Sequence, residues 1–341
     1  VIAHPERLAD YLRAAIPGLA GEMRLEQLHG GHSNLTYLVR FGERELVLKR
    51  APQGQRAQSA HDMSREYRML SALQGVYRYA PAALAVCEDS SIAGSSFCVM
   101  ERALGIVIRN AYPPEIDPGT IARQFEHLID GLIELHAVDV DAAGLRDFGR
   151  PLGYRRRQVE GWARRFEAAR TDDLVDFSHV RAWLTANTPS MPETATVVHN
   201  DFKLDNLVWD AADFTRLRAV LDWEMATIGD GPLDLACTLS FWPQPADPPE
   251  FRALRGMPAL HSGVPSRGDV LERYARATAR DVPPLAFLEC FGWFRRAAIE
   301  QQKYVRFRRG DTDDPRFAHL DDDIRVLHAM CEAAIASRSA R

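Results

Sequence analysis

VVHNDFKLDNLVWD, Val197 to Asp210, is the stretch from which the rest of the chain can be read. It sets a polar segment carrying His199, Asp201 and Asn206 between two apolar runs, Ala195–Val198 and Leu207–Trp209. Just behind it comes AVLDWEMATIGDGPLDLA, Ala219 to Ala236, in which Asp222 closes a third apolar run. Short apolar runs bounded by polar residues read as strands, so Asp201, Asn206 and Asp222 are expected at strand ends. The strand before Asp222 can pair with Leu207 and Val208, which brings Asp222 next to Asn206. Asp205 and Asp210 read as turn residues, and His199 as a brace for the loop.

Upstream, Pro5–Ile16 has the spacing of an amphipathic helix that stops at Pro17-Gly18. Met23–Leu28, Leu35–Arg40 and Glu45–Lys49 alternate with period two and are broken by glycine turns, the pattern of three antiparallel strands. The first turn, Gly30-Gly31-His32-Ser33-Asn34, is polar and open enough for backbone N–H groups to approach a phosphate, although such turns are also ordinary hairpins. Lys49 ends a strand, where a lysine can simply snorkel to water. The next helix, Ser59–Leu73, offers Glu66 near its inner face, and a strand lysine paired with a helix glutamate is how a phosphate-gripping lysine is held. Ala82–Cys87 and Ser96–Met100, joined by a Ser/Gly turn over 90–95, complete a five-stranded antiparallel sheet.

Composition shifts after Glu101 to Tyr112, which reads as a linker. Beyond Pro113-Pro114 the periodicity is helical: Ile121–Val138, Leu152–Ala169, Phe177–Ala186, Leu233–Phe241, Gly268–Thr278, Pro284–Phe307 and Ala318–Ser337. Pro243–Pro265 is a proline-rich connection. The expected fold class is α+β, a small antiparallel β N-lobe (1–103) and a large, mainly helical C-lobe (104–341), with the ligand in the cleft between them.

The 341 residues carry a net charge of −5, so no global basic field points to nucleic acid or an anionic membrane. No apolar run reaches the ~18–20 residues of a membrane span. The five cysteines are scattered and form no C-x-x-C pair, which disfavours a disulfide scaffold or zinc site and fits a reducing cytoplasm.

Together the polar residues make a demanding set. A hydroxyl attacking a phosphate needs a carboxylate to orient it and take its proton, and Asp201 suits that task. Mg²⁺ is a hard cation that takes oxygen ligands; Asn206 offers an amide oxygen and Asp222 a carboxylate. The five-residue step from Asp201 to Asn206 lets one loop present base and metal ligand together.

With these motifs in view, the chain resembles the aminoglycoside phosphotransferase/choline kinase family of the protein-kinase-like fold. Within it, the phosphotransferase domains related to those fused to acyl-CoA dehydrogenases look most similar. The resemblance rests on His199–Leu207, on Leu221–Asp230 leading to Leu233-Asp234-Leu235-Ala236, and on Phe294–Gln301. It implies ATP and Mg²⁺ as cofactors, with Asp201 as catalytic base and Asn206 and Asp222 on the metal. It implies that Lys49, paired with Glu66, grips the α- and β-phosphates. Gly30, Gly31, Ser33, Asn34 and Thr36 would cover the phosphates, and the backbone around Glu101 and Ala103 would bind adenine. Asp234 would support the catalytic loop. Two features depart from the pattern: Asn200 stands where the family usually has glycine, and Trp223-Glu224 follows Asp222 where protein kinases have Phe-Gly.

The acceptor is expected to be a small-molecule hydroxyl bound against Pro284–Phe307, with Trp242, Arg295, Gln301 and Tyr304 as candidate contacts. That helix carries Arg295, Arg296, Lys303 and Arg306 against Glu289 and Glu300, which leans toward a neutral or anionic acceptor such as a hydroxyacyl compound rather than a polycation. Two other classes stay open: a catalytically silent kinase-like module that binds nucleotide or a partner, and a protein kinase. The sequence does not specify an oligomeric state.

Overall fold

The structure, a computed structural model, describes residues 2, 4–28, 34–51, 63–109, 111–114, 116–254, 256–257 and 261–339. Gly30, Gly31, Ser33 and the start of the expected helix at Ser59 lie outside them. The chain opens with α1 (Pro5–Ala15), β1 (Met23–Leu28), β2 (Leu35–Phe41), β3 (Arg44–Arg50), α2 (Met63–Leu73), β4 (Ala83–Cys87), α3 (Ser90–Ala93) and β5 (Phe97–Glu101). The five strands form one antiparallel sheet in the order β1-β2-β3-β5-β4. The Ser/Gly stretch read as a turn closes into the short helix α3, because Asp89 accepts the Ser91 N–H at 2.8 Å and caps it.

Strand alternation decides which side of this sheet each residue serves. Leu46 and Leu48 of β3, with Phe97 and Val99 of β5, pack on the face covered by α1 through Leu8 and Leu12. Their neighbours Val47, Cys98 and Met100 face the other way, toward Met63, Met69 and Leu70 of α2. Lys49, two residues after Val47, therefore points to the α2 side, where Glu66 lies.

The remaining elements are α4 (Pro118–His136), α5 (Tyr154–Ala168), α6 (Ser178–Ala186), β6 (Ala195–Val198), β7 (Leu207–Trp209), β8 (Leu217–Val220), β9 (Thr227–Asp230), α7 (Gly231–Leu239), α8 (Pro249–Arg252), α9 (Arg267–Thr278), α10 (Leu285–Arg308) and α11 (Leu320–Ser339). The expected pairing of the strand before Asp222 is present as β7–β8, with Leu207 opposite Val220. A fourth short strand, β9, was not anticipated; it pairs with β6, Val197 opposite Ile228. α10 runs through the middle of the C-lobe, packed on α5, α7 and α11. Its approach to α7 is so close that a Cβ on Gly292 would sit 2.3 Å from the Ala236 carbonyl oxygen.

The lobes join at residues 102–105, whose backbone makes no main-chain hydrogen bond among the described residues. Ile106 then bonds Trp209 in both directions, N–H to O at 2.8 Å each way, so the linker is fastened to β7. Gly105 makes this possible: its φ is +152°, and a Cβ there would lie 2.2 Å from the Trp209 carbonyl oxygen. Gly105→Ala is expected to cost roughly 1–3 kcal/mol and to lower the thermal midpoint in a calorimetric scan. Gly268→Ala is the control, since its Cβ would meet only ordinary contact at 3.6 Å in helix α9; equal midpoints for the two variants would refute the account of Gly105.

Candidate active site

The centre of the cleft is the loop that leaves β6. Val197 and Val198 are fully buried and pull the chain to the edge of the core, where His199 follows with no exposed surface. The His199 N–H donates to Asp234 Oδ2 at 2.7 Å. Its ring is fixed by two further bonds: Nδ1 accepts from the Asp201 N–H at 3.3 Å and Nε2 donates to the Leu221 carbonyl at 3.0 Å. An amide can only donate and a carbonyl only accept, so the ring carries its proton on Nε2. Burial lowers the imidazole below its ordinary value despite nearby Asp234, Asp201 and Asp222. His199 is thus a neutral brace.

Asn200 takes the left-handed conformation, φ +57°. Asparagine is the side chain that bears this best, at about 1 kcal/mol. Its amide is used on both sides, Oδ1 accepting from the Tyr154 hydroxyl at 3.3 Å and Nδ2 donating to the Met225 carbonyl at 3.1 Å. The Arg295 Nη2 donates to the Asn200 carbonyl at 2.8 Å.

Asp201 follows, with 24% of its side chain exposed to the cleft. Asn206 Nδ2 donates to both its backbone oxygen (2.9 Å) and its Oδ2 (2.8 Å). Lys203 Nζ is 3.2 Å from the same Oδ2. Burial pushes the carboxyl up, but the charges of Lys203 and Arg295 outweigh it and hold it below its ordinary value of 3.8. Asp201 is an ionised carboxylate that can accept a proton at neutral pH.

Asp222 begins a single 3₁₀ turn, Trp223–Met225, in left-handed conformation, φ +67°. The Leu221 N–H bonds the Asn206 carbonyl at 2.8 Å, so Asn206 and Asp222 stand on neighbouring strand ends. Both partners of Asn206 Nδ2 are acceptors, which assigns its amide nitrogen to Asp201 and leaves its oxygen for a hard cation. Asp222 Oδ1 faces Lys49, leaving Oδ2 as the second oxygen donor. This donor set fits Mg²⁺.

Lys49 Nζ donates to Glu66 Oε1 at 2.8 Å and to Asp222 Oδ1 at 2.9 Å. Lys49 is 8% exposed and Glu66 1%. Burial favours the neutral amine, but Glu66, Asp222 and Glu224 together keep the ammonium and raise Lys49 well above its ordinary value. Thr36 lies opposite Lys49 in the β2–β3 register. Asn34 reaches across the cleft, Nδ2 to Glu224 Oε2 at 2.6 Å. Arg65, beside Glu66 on α2, also crosses: its Nη2 lies 2.9 Å from the Phe148 carbonyl, 3.2 Å from the Ala226 carbonyl and 3.0 Å from Thr227 Oγ1. Its guanidinium stacks 4.1 Å from the Phe148 ring.

Hydrogen bonds and ion pairs therefore link Lys49 with Glu66 and Asp222, Asp201 with Asn206, and Asn34 with Glu224, with Thr36 opposite Lys49 in the sheet; Glu101 ends β5 and Ala103 lies in the segment after it. The four residues read as acceptor contacts fare differently. Trp242 is buried, its Nε1 donating to the Pro265 carbonyl at 2.7 Å and its ring 4.6 Å from Phe125. Gln301 is buried and donates to the Ala169 carbonyl at 2.6 Å. Tyr304 is buried with its hydroxyl on Asp173 at 2.9 Å. These three hold the C-lobe together, Gln301 and Tyr304 from the buried side of α10 and Trp242 from the segment after α7. Arg295 reaches the catalytic loop, but from beneath and 4% exposed.

Sequence reasoning passed over Lys203, Glu224 and Arg65. The first two had a usable signal, each standing two residues after an acidic site residue, Asp201 and Asp222. Arg65 had none, because its partners lie 83 to 162 positions away.

The comparisons with known proteins agree with this geometry. A family model described as "Phosphotransferase enzyme family" matches residues 24–287. Acyl-CoA dehydrogenase family member 10 of Mus musculus is 34% identical over 333 residues, 95% of this chain but 30% of that protein. Family member 11 of Gallus gallus is 32% identical over 89% of the chain and 40% of its own length. The chain thus spans well under half of these relatives. Among solved structures, a Ralstonia eutropha protein assigned to the aminoglycoside phosphotransferases superposes with a TM-score of 0.84 at 27% identity, covering 98% of both chains. Aminoglycoside phosphotransferase APH(4)-Ia, solved in a ternary complex with AMP-PNP and hygromycin B, shares the fold at a TM-score of 0.62 and 16% identity, covering 98% of both chains.

Proposed function

The chain belongs to the phosphotransferase enzyme family, and from that premise we propose that it is a Mg²⁺- and ATP-dependent kinase of a small molecule, moving the γ-phosphate to a hydroxyl. The observation that carries the reading is the placing of an ionised Asp201 beside oxygen donors Asn206 and Asp222, with the buried ammonium of Lys49 on the facing lobe. In this reading Asp201 orients the acceptor hydroxyl and takes its proton. Lys49, kept charged by Glu66, binds the α- and β-phosphates, and Asn34 and Thr36 flank them. The backbone from Glu101 through Ala103, whose residues 102–105 make no main-chain hydrogen bond among the described residues, receives adenine. Asn206 and Asp222 would hold Mg²⁺, which would supply positive charge to offset that of the phosphates.

For the acceptor, Trp242, Gln301 and Tyr304 are set aside because their polar atoms are engaged inside the C-lobe. The cations on this side are Lys203 and, beneath the loop, Arg295, with Arg165 over the far side of Trp162 at 4.7 Å. That charge and the relatives' naming as acyl-CoA dehydrogenase family members support a neutral or anionic hydroxyacyl acceptor. Five free, buried cysteines accord with a cytoplasmic setting.

The test is a screen of Mg·ATP with hydroxyl metabolites, aminoglycosides included, following ADP release and phosphorylated product, with Asp201→Ala as the blank. Acceptor-dependent ADP in the wild type alone is the expected result; tight binding and turnover of an aminoglycoside would contradict the acceptor class, and no Asp201-dependent transfer to any acceptor would contradict the activity. Nucleotide binding without transfer would leave the silent module as the better reading.

A second expectation concerns pH. A base works ionised, so kcat should fall only as pH drops through the lowered pKa of Asp201, below 3.8. Lys203→Met removes the foremost cation opposing burial, so the acid limb of the kcat profile should move to higher pH. An unmoved limb would show that Lys203 does not tune the base.

A further inference from the structure

We propose that Arg295 is a positioning residue of the catalytic loop, acting by fixing the Asn200–Asp201 peptide rather than by touching the acceptor. The inference rests on the phosphotransfer reading of that loop. The peptide's oxygen accepts from Arg295 Nη2 at 2.8 Å, and its N–H donates to His199 Nδ1 at 3.3 Å. Both polar ends of one peptide plane are thereby held. Turning this peptide over would change ψ of Asn200, which already sits in the left-handed region at φ +57°, and φ of Asp201. The Arg295 bond opposes that rotation, and the direction in which Asp201 leaves the chain depends on it.

The guanidinium is itself fixed. It lies over the Trp162 ring at 5.1 Å and 3.8 Å from Met225 Sδ, and it is 4% exposed. Among the described residues it forms no ion pair, which is costly for a buried cation unless an anion lies near. The anion on the other side of this peptide is Asp201. One turn earlier on α10, Gly292 admits the Ala236 carbonyl of α7 at backbone contact. α7 in turn carries Asp234, which holds the His199 N–H. Two helices locked to each other thus grip the loop at alternate peptides, Val198–His199 through Asp234 and Asn200–Asp201 through Arg295.

The test uses the full chain with Mg·ATP and water as the acceptor, a reaction in which a residue that only grips an organic acceptor has nothing to hold. Arg295→Met should lower kcat for Asp201-dependent hydrolysis by ~100-fold with KM for Mg·ATP little changed, the scale of a misplaced catalytic group. Arg295→Lys, which keeps charge and one donor, should recover part of the loss. In parallel, hydrogen exchange in the 197–207 segment should quicken by about 10-fold or more in Arg295→Met while α10 stays protected, as expected on losing one charge-assisted bond. Unchanged kcat, or unchanged exchange at 197–207, overturns the proposal. If wild-type hydrolysis persists in Asp201→Ala, the phosphotransfer reading fails instead, and exchange alone decides the role of Arg295. Should Arg295→Met not fold, Arg295→Lys carries both measurements, with wild-type values in both counting against the proposal.

Discussion

Asp201→Asn is expected to slow phosphoryl transfer by roughly 10²–10⁴-fold, the usual contribution of a positioned general base, while Mg·nucleotide affinity stays close to that of the wild type. Asparagine keeps the size of the side chain and an oxygen that can still accept from Asn206 Nδ2, so the loop retains its internal bonds. What is lost is the negative charge that takes the hydroxyl proton. Lys203, 3.2 Å away, loses its nearest anion at the same time but keeps Asp205 at 3.7 Å, which limits the disturbance. Single-turnover transfer and calorimetric nucleotide binding measure the two halves of this expectation. Transfer within tenfold of the wild type would remove Asp201 from its assigned role.

Lys49→Met should be the most destabilising single change in the cleft, by about 3–5 kcal/mol, because it leaves a buried carboxylate without its partner. Glu66 is 1% exposed, and burial already raises its carboxyl above the ordinary value against the pull of Lys49. Without the ammonium that rise is larger. A carboxyl with a raised native pKa binds its proton in the folded state before it does in the unfolded chain. Stability therefore falls as pH rises through the window between the two values, and the deficit of Lys49→Met should be smallest at acid pH and grow toward neutrality. Lys49→Met/Glu66→Leu, which removes the pair together, should regain most of the stability yet not the affinity for nucleotide. Denaturant unfolding compared at acid and at neutral pH separates these outcomes. A deficit that does not vary with pH would mean that Glu66 is not the group left exposed to the loss.

Much of this was legible before any coordinates, and the division has a physical cause. The sheet was readable because its strands alternate faces, and the same period-two rule put Lys49 toward α2. The polar loop between β6 and β7 was readable because its residues interrupt apolar runs at short, fixed spacing. β9 was not: Thr227-Ile228-Gly229-Asp230 runs into Gly231-Pro232 and looks like a turn until β6 pairs with it. α10 was misread for the opposite reason. It is buried nearly all round, from Phe287 through Val305, so no polar stripe distinguishes residues facing the cleft from those facing the core. Trp242, Gln301 and Tyr304 were assigned to the acceptor on that missing signal. The bonds crossing the cleft, Asn34 to Glu224 and Arg65 to Ala226, span 190 and 161 positions, beyond any local pattern.

Residues 222–227 receive the β1–β2 turn through Asn34, β3 through Lys49 and α2 through Arg65. This short segment of the larger lobe is, in effect, the socket of the smaller one. For anyone recombining such proteins, the exchangeable part does not end at the linker near Gly105. A foreign N-lobe grafted onto this C-lobe would meet a socket shaped for other side chains. We expect such chimaeras to fold with intact lobes but to engage nucleotide poorly until 222–227 is transplanted with the lobe it serves. The natural unit of exchange is then discontinuous in sequence, the first hundred or so residues together with these six from the far side of the cleft.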